Sequence, residues 1–72
     1  VNIYVSELEI DKSLEFEINE NRQVYFVQIE GISSINGLIL ENGDAMEIVD
    51  EKKIEIKALE NSHFLFIEMA KV

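Results

Sequence analysis

The strongest constraint on the fold of this chain is an alternation of apolar and polar residues with a period of two. It recurs in three segments, Val1–Ser6, Ser13–Ile18 and Lys53–Ala58. This pattern places one face of a strand on a core and the other in water, as in antiparallel sheets. Two further segments, Val24–Ile29 and Phe64–Met69, are apolar on both faces. We expect them to form central strands that are covered on both sides.

Short polar segments separate these runs and have the composition of tight turns. Asn36-Gly37 is the clearest, because both residues tolerate a positive φ and suit a type I′ hairpin. Asn42-Gly43 predicts a second hairpin turn of the same kind. No stretch of ten or more residues keeps a helical period, and the chain contains no proline. The sequence therefore predicts about eight short strands in an all-β sandwich or barrel.

Size and charge restrict the class of protein. The 72 residues make one domain, near the lower limit of roughly 70–80 residues at which a hydrophobic core alone stabilises a fold. No cysteine is present, so no disulfide staples the fold, and we expect a cytoplasmic location. Fifteen acidic residues against six basic ones give a net charge of −9, which disfavours nucleic acid and anionic membrane surfaces as partners. The chain begins at Val1, which we interpret as the interior of a longer polypeptide.

The order of segments from the middle of the chain onward resembles the cupin fold. A strand ends in Ile29-Glu30-Gly31, an Asn36-Gly37 hairpin follows, and Gly43-Asp44 opens the next strand. Gly31 suits a bulge or sharp corner, and the Asp44 side chain suits capping of backbone N–H groups in its turn.

Other segments narrow the resemblance to the C-terminal domain of pirin-like proteins. They are Tyr4–Leu8, the Arg22 and Tyr25 pair, and His63–Glu68. That family includes bacterial proteins named as quercetin 2,3-dioxygenases. The resemblance implies a small, jelly-roll-like, cupin-type antiparallel β-barrel or sandwich over residues 1–72, as the C-terminal domain of a two-domain protein. It also implies an N-terminal cupin that binds a transition metal such as iron and carries any dioxygenase activity.

The metal-binding motifs of cupins are missing from this chain. A cupin metal site needs three imidazoles and a carboxylate that converge inside the barrel. The glutamate position of the first motif, seven residues before Gly31, is Val24, and the preceding segment 19–23 contains no histidine. The second motif would place Pro, Gly and His near residues 49–53, and none is present. We therefore expect no metal, cofactor or catalytic residue in this domain.

Three residues are weak candidates for ligand contact. His63 is the single histidine and could pair with Glu60 or Glu68 around a metal, although a hydrogen-bonded histidine at a strand edge is the more common role. Arg22 could bind a carboxylate in a barrel mouth, although an ion pair with a nearby glutamate (Glu15, Glu17 or Glu20) or a domain contact is favoured. Tyr25 lies on the central strand and belongs to the same candidate site.

These observations favour a structural, non-catalytic role. The predicted partner is an N-terminal cupin of the same chain, which would cover an apolar face of Val24–Ile29 or Phe64–Met69. Without that cupin, we expect this domain to form a homodimer through such a face. Two alternatives stay open. One is a metal-independent module that holds a small ligand near Arg22 and Tyr25, and the other is a residual cupin dioxygenase that uses His63.

Overall fold

The computed structural model of the chain describes residues 1–71, which form eight β-strands and no helix. This part of the chain therefore contains no helix that could cross a membrane. The all-β prediction and the predicted number of strands are confirmed. The strands are β1 (Asn2–Leu8), β2 (Ser13–Glu17), β3 (Arg22–Glu30), β4 (Ser33–Ile35), β5 (Leu38–Leu40), β6 (Ala45–Ile48), β7 (Lys53–Ala58) and β8 (Ser62–Ala70).

The strands form two antiparallel sheets of four. The first sheet has the order β1-β8-β3-β6, and the second has the order β2-β7-β4-β5. The two nine-residue strands, β3 and β8, lie in the middle of the first sheet, as their apolar sequences predict. The sheets pack face to face as a cupin-type sandwich rather than as a closed barrel.

Aromatic side chains fill the space between the sheets. Phe26 and Phe64 have ring centroids 5.0 Å apart on the first sheet, and Phe66 lies 4.9 Å from Phe16 of the second sheet. Branched aliphatic residues complete the core around these rings, as expected for a close-packed interior. They are Ile18, Val24, Ile35, Leu40, Ile48, Ile54 and Ile56.

The outward surfaces of the two sheets differ in composition. Directly opposed residues share a face, so the registers place six apolar side chains together outside the first sheet. We call this surface the outer apolar face; it consists of Ile3, Val5, Tyr25, Val27, Leu65 and Ile67. The outward positions of the second sheet are polar or charged along β2 and β7: Ser13, Glu15, Glu17, Lys53, Glu55 and Lys57. Within residues 1–71, β3 and β8 are thus covered on one side, and the expected cover on both sides is absent.

The observed conformations of the turns agree with those predicted from the sequence, with one exception. Asn36 and Gly37 have φ of 50° and 85°, which confirms the type I′ hairpin. At the second predicted hairpin only Gly43 has a positive φ, and Asp44 N–H bonds to the Glu41 carbonyl at 2.9 Å. The prediction of a second type I′ turn is therefore wrong, because a single positive φ at the third residue is the pattern of a type II turn. The Asp44 carboxylate accepts a bond from Glu41 N–H at 2.9 Å, the predicted cap.

Gly31 stands at an irregular end of β3. The β3–β8 register shifts between Gln28 and Glu30, and Gly31 follows with a φ of 83°. A Cβ on Gly31 would collide with the backbone carbonyl of Asn61 and lie 2.9 Å from Ser62 Oγ. The predicted bulge and corner are confirmed, and here glycine is required by space as well as by φ.

We expect Gly31→Ala to destabilise the domain far more than Gly37→Ala. Gly37 also has a positive φ, but no atom lies within 4 Å of the position of an added Cβ. The Gly37 variant should therefore lose only the conformational cost of about 1–2 kcal/mol. Urea denaturation of both variants measures the difference, and equal losses would show that the Asn61 backbone moves aside freely.

Truncation of Phe66 should remove much of the stability of the domain. Phe66 is 2% exposed and contacts Tyr4 and Phe16, so Phe66→Ala should cost on the order of 3–5 kcal/mol. Leu65→Ala, on the neighbouring outward position, is the matched control and should cost much less in the isolated chain. Thermal melts that show similar losses for the two variants would contradict this assignment of faces.

Candidate functional site

A buried carboxylate at one end of the first sheet binds the side chain of Arg22. Arg22 Nε donates to Glu68 Oε2 at 2.8 Å, and its Nη2 donates to Oε1 at 2.7 Å. Asn2 Nδ2 donates a third bond to Oε1 at 3.0 Å. Glu68 is 7% exposed, and the three residues come from β3, β8 and β1. The network therefore joins three adjacent strands of the sheet.

The predicted ion pair of Arg22 exists, but its partner differs from the expected ones. Glu15, Glu17 and Glu20 are near in sequence, whereas Glu68 is 46 residues away. The strand register explains the choice, because Arg22 opposes Ala70 and Glu68 opposes Val24, so both side chains point between the sheets. The hydrogen bonds from Arg22 and then from Asn2 lower the pKa of Glu68 from its ordinary 4.5 to about 2.

Arg22 and Tyr25 do not form a common site. Tyr25 opposes Ile67 and belongs to the outer apolar face, whereas Arg22 points inward. A cleft of 290 Å³ does open beside Arg22, lined by the turns before β3 and after β6. The guanidinium of Arg22 is already bound to Glu68, and Phe26, Phe64 and Phe66 fill the interior. The predicted pair of ligand contacts is therefore not brought together.

His63 lies at the opposite end of the first sheet, on its outward side. It opposes Glu7 of β1 and Glu30 of β3, and the three residues line one open cleft of 460 Å³. Glu68 points to the other side of the sheet, because inward and outward positions alternate along β8. Glu60 does not line this cleft in the described structure. The structure thus places His63 beside two glutamates that the sequence interpretation did not select.

A second polar group, which the sequence analysis missed, lies inside the sandwich. Ser33 and Ser62 join the two sheets by a 2.9 Å bond between their hydroxyls, and Gln28 donates to the Glu30 carbonyl at 2.9 Å. Gln28 and Ser33 are fully buried. Gln28 Oε1 has no hydrogen-bond partner within residues 1–71. The signal in the sequence was weak, because a polar residue in an apolar strand does not reveal which face it occupies.

The residues present do not fit a cupin metal centre. Val24, at the glutamate position of the first motif, is 1% exposed and packs in the apolar core. Within residues 1–71, no three His, Asp or Glu side chains converge closely enough to hold a metal ion. The donor set that a metal site would require is therefore not assembled. That the domain binds no metal stays a prediction.

The low pKa of Glu68 predicts how stability changes with pH. Because the pKa is lower in the folded state, the ion pair stabilises the fold above about pH 4.5, and this stabilisation is lost as the pH falls towards 2. Glu68→Gln should therefore be less stable than wild type at pH 7, and the difference should shrink between pH 4.5 and pH 2. Urea midpoints across this range provide the measurement, with Glu9→Gln as control, because Glu9 is exposed and forms no ion pair within residues 1–71. A difference that is constant with pH would contradict the assignment.

The sequence and the fold both match those of known bacterial proteins. The family model of the quercetinase C-terminal cupin domain matches residues 1–69. PA1210 of Pseudomonas aeruginosa, whose name marks it as a candidate quercetin 2,3-dioxygenase, is 32% identical over 63 residues, which cover 88% of this chain. Crystal structures of Escherichia coli YhhW, a bacterial pirin, superpose with TM-scores of 0.95 and, for the complex with nickel(II), 0.94. Both are 28% identical to this chain and cover 97% of it.

The matched region is a minor part of these relatives. This chain spans 27% of the Pseudomonas protein and 30% and 31% of the two YhhW chains. The resemblance to the C-terminal domain of pirin-like proteins is confirmed by the family model, the relative and both structures. The chain belongs to the quercetinase C-terminal cupin domain family.

Proposed function

We propose that this chain is the non-catalytic C-terminal cupin domain of a two-domain pirin-like protein, and that it binds the N-terminal cupin of the same polypeptide through the outer apolar face. The proposal rests on the exposure of the outer apolar face. Ile3 and Val5 are 64% and 62% exposed, beside Leu65 and Ile67, which are half-buried. A continuous apolar surface of this kind marks an interaction site in a folded domain.

The contrast between the two outer surfaces supports this role. Both sheets bury one face against each other, yet β2 and β7 of the second sheet carry polar or charged outward side chains, whereas the centre of the outward side of the first sheet is apolar. The relatives are more than three times as long as the matched region, so their chains include ample polypeptide to cover such a face. An apolar contact of this kind holds two domains in a fixed relative position.

The interior supports a domain without catalytic groups. Phe26, Phe64 and Phe66 fill the space between the sheets with apolar rings, and Val24 stands at the position that the first cupin motif gives to the carboxylate. Any transition metal, such as iron, and any quercetin dioxygenase activity therefore belong in this proposal to the N-terminal cupin.

A charged side chain introduced on the outer apolar face should destabilise this domain only when the rest of the polypeptide is present. Val5→Asp should change the stability of the isolated chain by no more than about 0.5 kcal/mol, because Val5 is exposed there. In the full-length gene product the same change buries a carboxylate in an apolar contact, so this domain should unfold separately and at a lower temperature. Differential scanning calorimetry of both proteins gives the comparison.

Ser13→Asp is the matched control, because it adds the same charge to the outward surface of the second sheet. It should leave the full-length melt unchanged. If Val5→Asp and Ser13→Asp behave alike in the full-length protein, the outer apolar face is not the domain contact, and the proposed function fails.

A further inference from the structure

We infer that the surface that covers the outer apolar face carries arginine or lysine side chains at its margin, opposite Glu7 and Glu30. This inference rests on the proposed function and specifies the chemistry of the partner. Glu7, His63 and Glu30 form a row across β1, β8 and β3 at one end of the face. The adjacent row is apolar, since Val5 opposes Leu65 and Leu65 opposes Val27. An acidic row thus directly borders the apolar one.

No lysine or arginine within residues 1–71 pairs with these two glutamates. Neither Glu7 nor Glu30 forms an ion pair in the described structure, in which four such pairs occur. The basic residues are all placed elsewhere: Lys12 and Lys52 in turns, Arg22 on Glu68, Lys53 and Lys57 outside the second sheet, and Lys71 on Asp50. Glu47, opposite Tyr25, adds a third carboxylate to the same side of the sheet.

A partner that covers the apolar row also removes water from the carboxylates beside it. A carboxylate that loses water without gaining a cation is strongly unfavourable, whereas a paired one sets orientation and specificity. The covering surface therefore needs an apolar centre and basic residues at the end that meets His63. The open cleft around His63 has room for long side chains such as arginine.

The same charges disfavour a second copy of this chain as the occupant. A symmetric pair with parallel strands would bring two sets of Glu7 and Glu30 towards one another, and a pair in either orientation would join two chains that each have a net charge of −9. Like charges at an interface suppress association. The occupant is therefore the polypeptide outside these 72 residues, in the form of the N-terminal cupin.

The test uses thiol labelling of the full-length gene product in a cysteine-free background. This domain has no cysteine, so Ile3→Cys places a single reporter on the outer apolar face. Glu7→Lys with Glu30→Lys should raise the labelling rate of that reporter by about tenfold, because two attractive contacts become repulsive. In the full-length protein with Glu7 and Glu30 unchanged, added salt should also raise the labelling rate of the reporter, because salt screens the same contacts.

Glu17→Lys with Glu51→Lys is the control of equal charge change; Glu17 lies outside the second sheet, and Glu51 follows β6. It should leave the rate unchanged. The isolated domain with the Glu7 and Glu30 reversals should keep its urea midpoint, which excludes a folding defect.

The outcomes separate the two proposals. A reporter that is protected in the full-length protein, yet insensitive to the Glu7 and Glu30 reversals and to salt, would overturn the basic margin and leave the proposed function intact. A reporter that labels equally fast in the full-length and isolated proteins would overturn both. Protection that rises with protein concentration would show that a second copy occupies the face, against this inference.

Discussion

The pairing of β3 with β8 is the contact on which the rest of the fold depends. These two strands supply Phe26, Phe64 and Phe66 to the core, and they carry β6 and β1 on their outer edges. The bidentate bond between Arg22 and Glu68 closes one end of the pair, and the bulge before Gly31 closes the other. A domain of this size has a small core, so a register fixed at both ends limits alternative pairings of two very apolar strands.

Most local features of this fold could be predicted from the sequence, because they depend on neighbouring residues. Alternation within Lys53–Ala58 identifies β7. Asn36-Gly37 specifies the turn between β4 and β5 through backbone conformation alone. The partner of Arg22 was missed because Glu68 approaches only after two distant strands pair. Likewise, two-sided apolar strands indicate a central position, but the topology decides which of their faces the second sheet covers. The burial of Gln28 depends on the same long-range choice.

The candidate site was less predictable than the fold, for a physical reason. Sequence composition could argue against a cupin metal centre, since that centre needs histidines the chain lacks. It could not show that His63 and Glu68 point to opposite sides of one strand, or that Glu7 and Glu30 flank His63. The resulting distribution of charge is unequal: lysines and glutamates both lie outside the second sheet, whereas Glu7 and Glu30 border the outer apolar face with no lysine or arginine beside them. This inequality distinguishes a surface suited to water from one suited to a partner.

The central claim is that the outer apolar face is covered in the full-length protein, and hydroxyl-radical footprinting tests it without any substitution. The chain has two tyrosines and two methionines, one of each outside the first sheet, Tyr25 and Met69, and one of each on its inner side, Tyr4 and Met46. If the face is covered, Tyr25 and Met69 should oxidise much more slowly in the full-length gene product than in the isolated chain, while Tyr4 and Met46 keep their rates. Equal rates for Tyr25 and Met69 in the two proteins would contradict it.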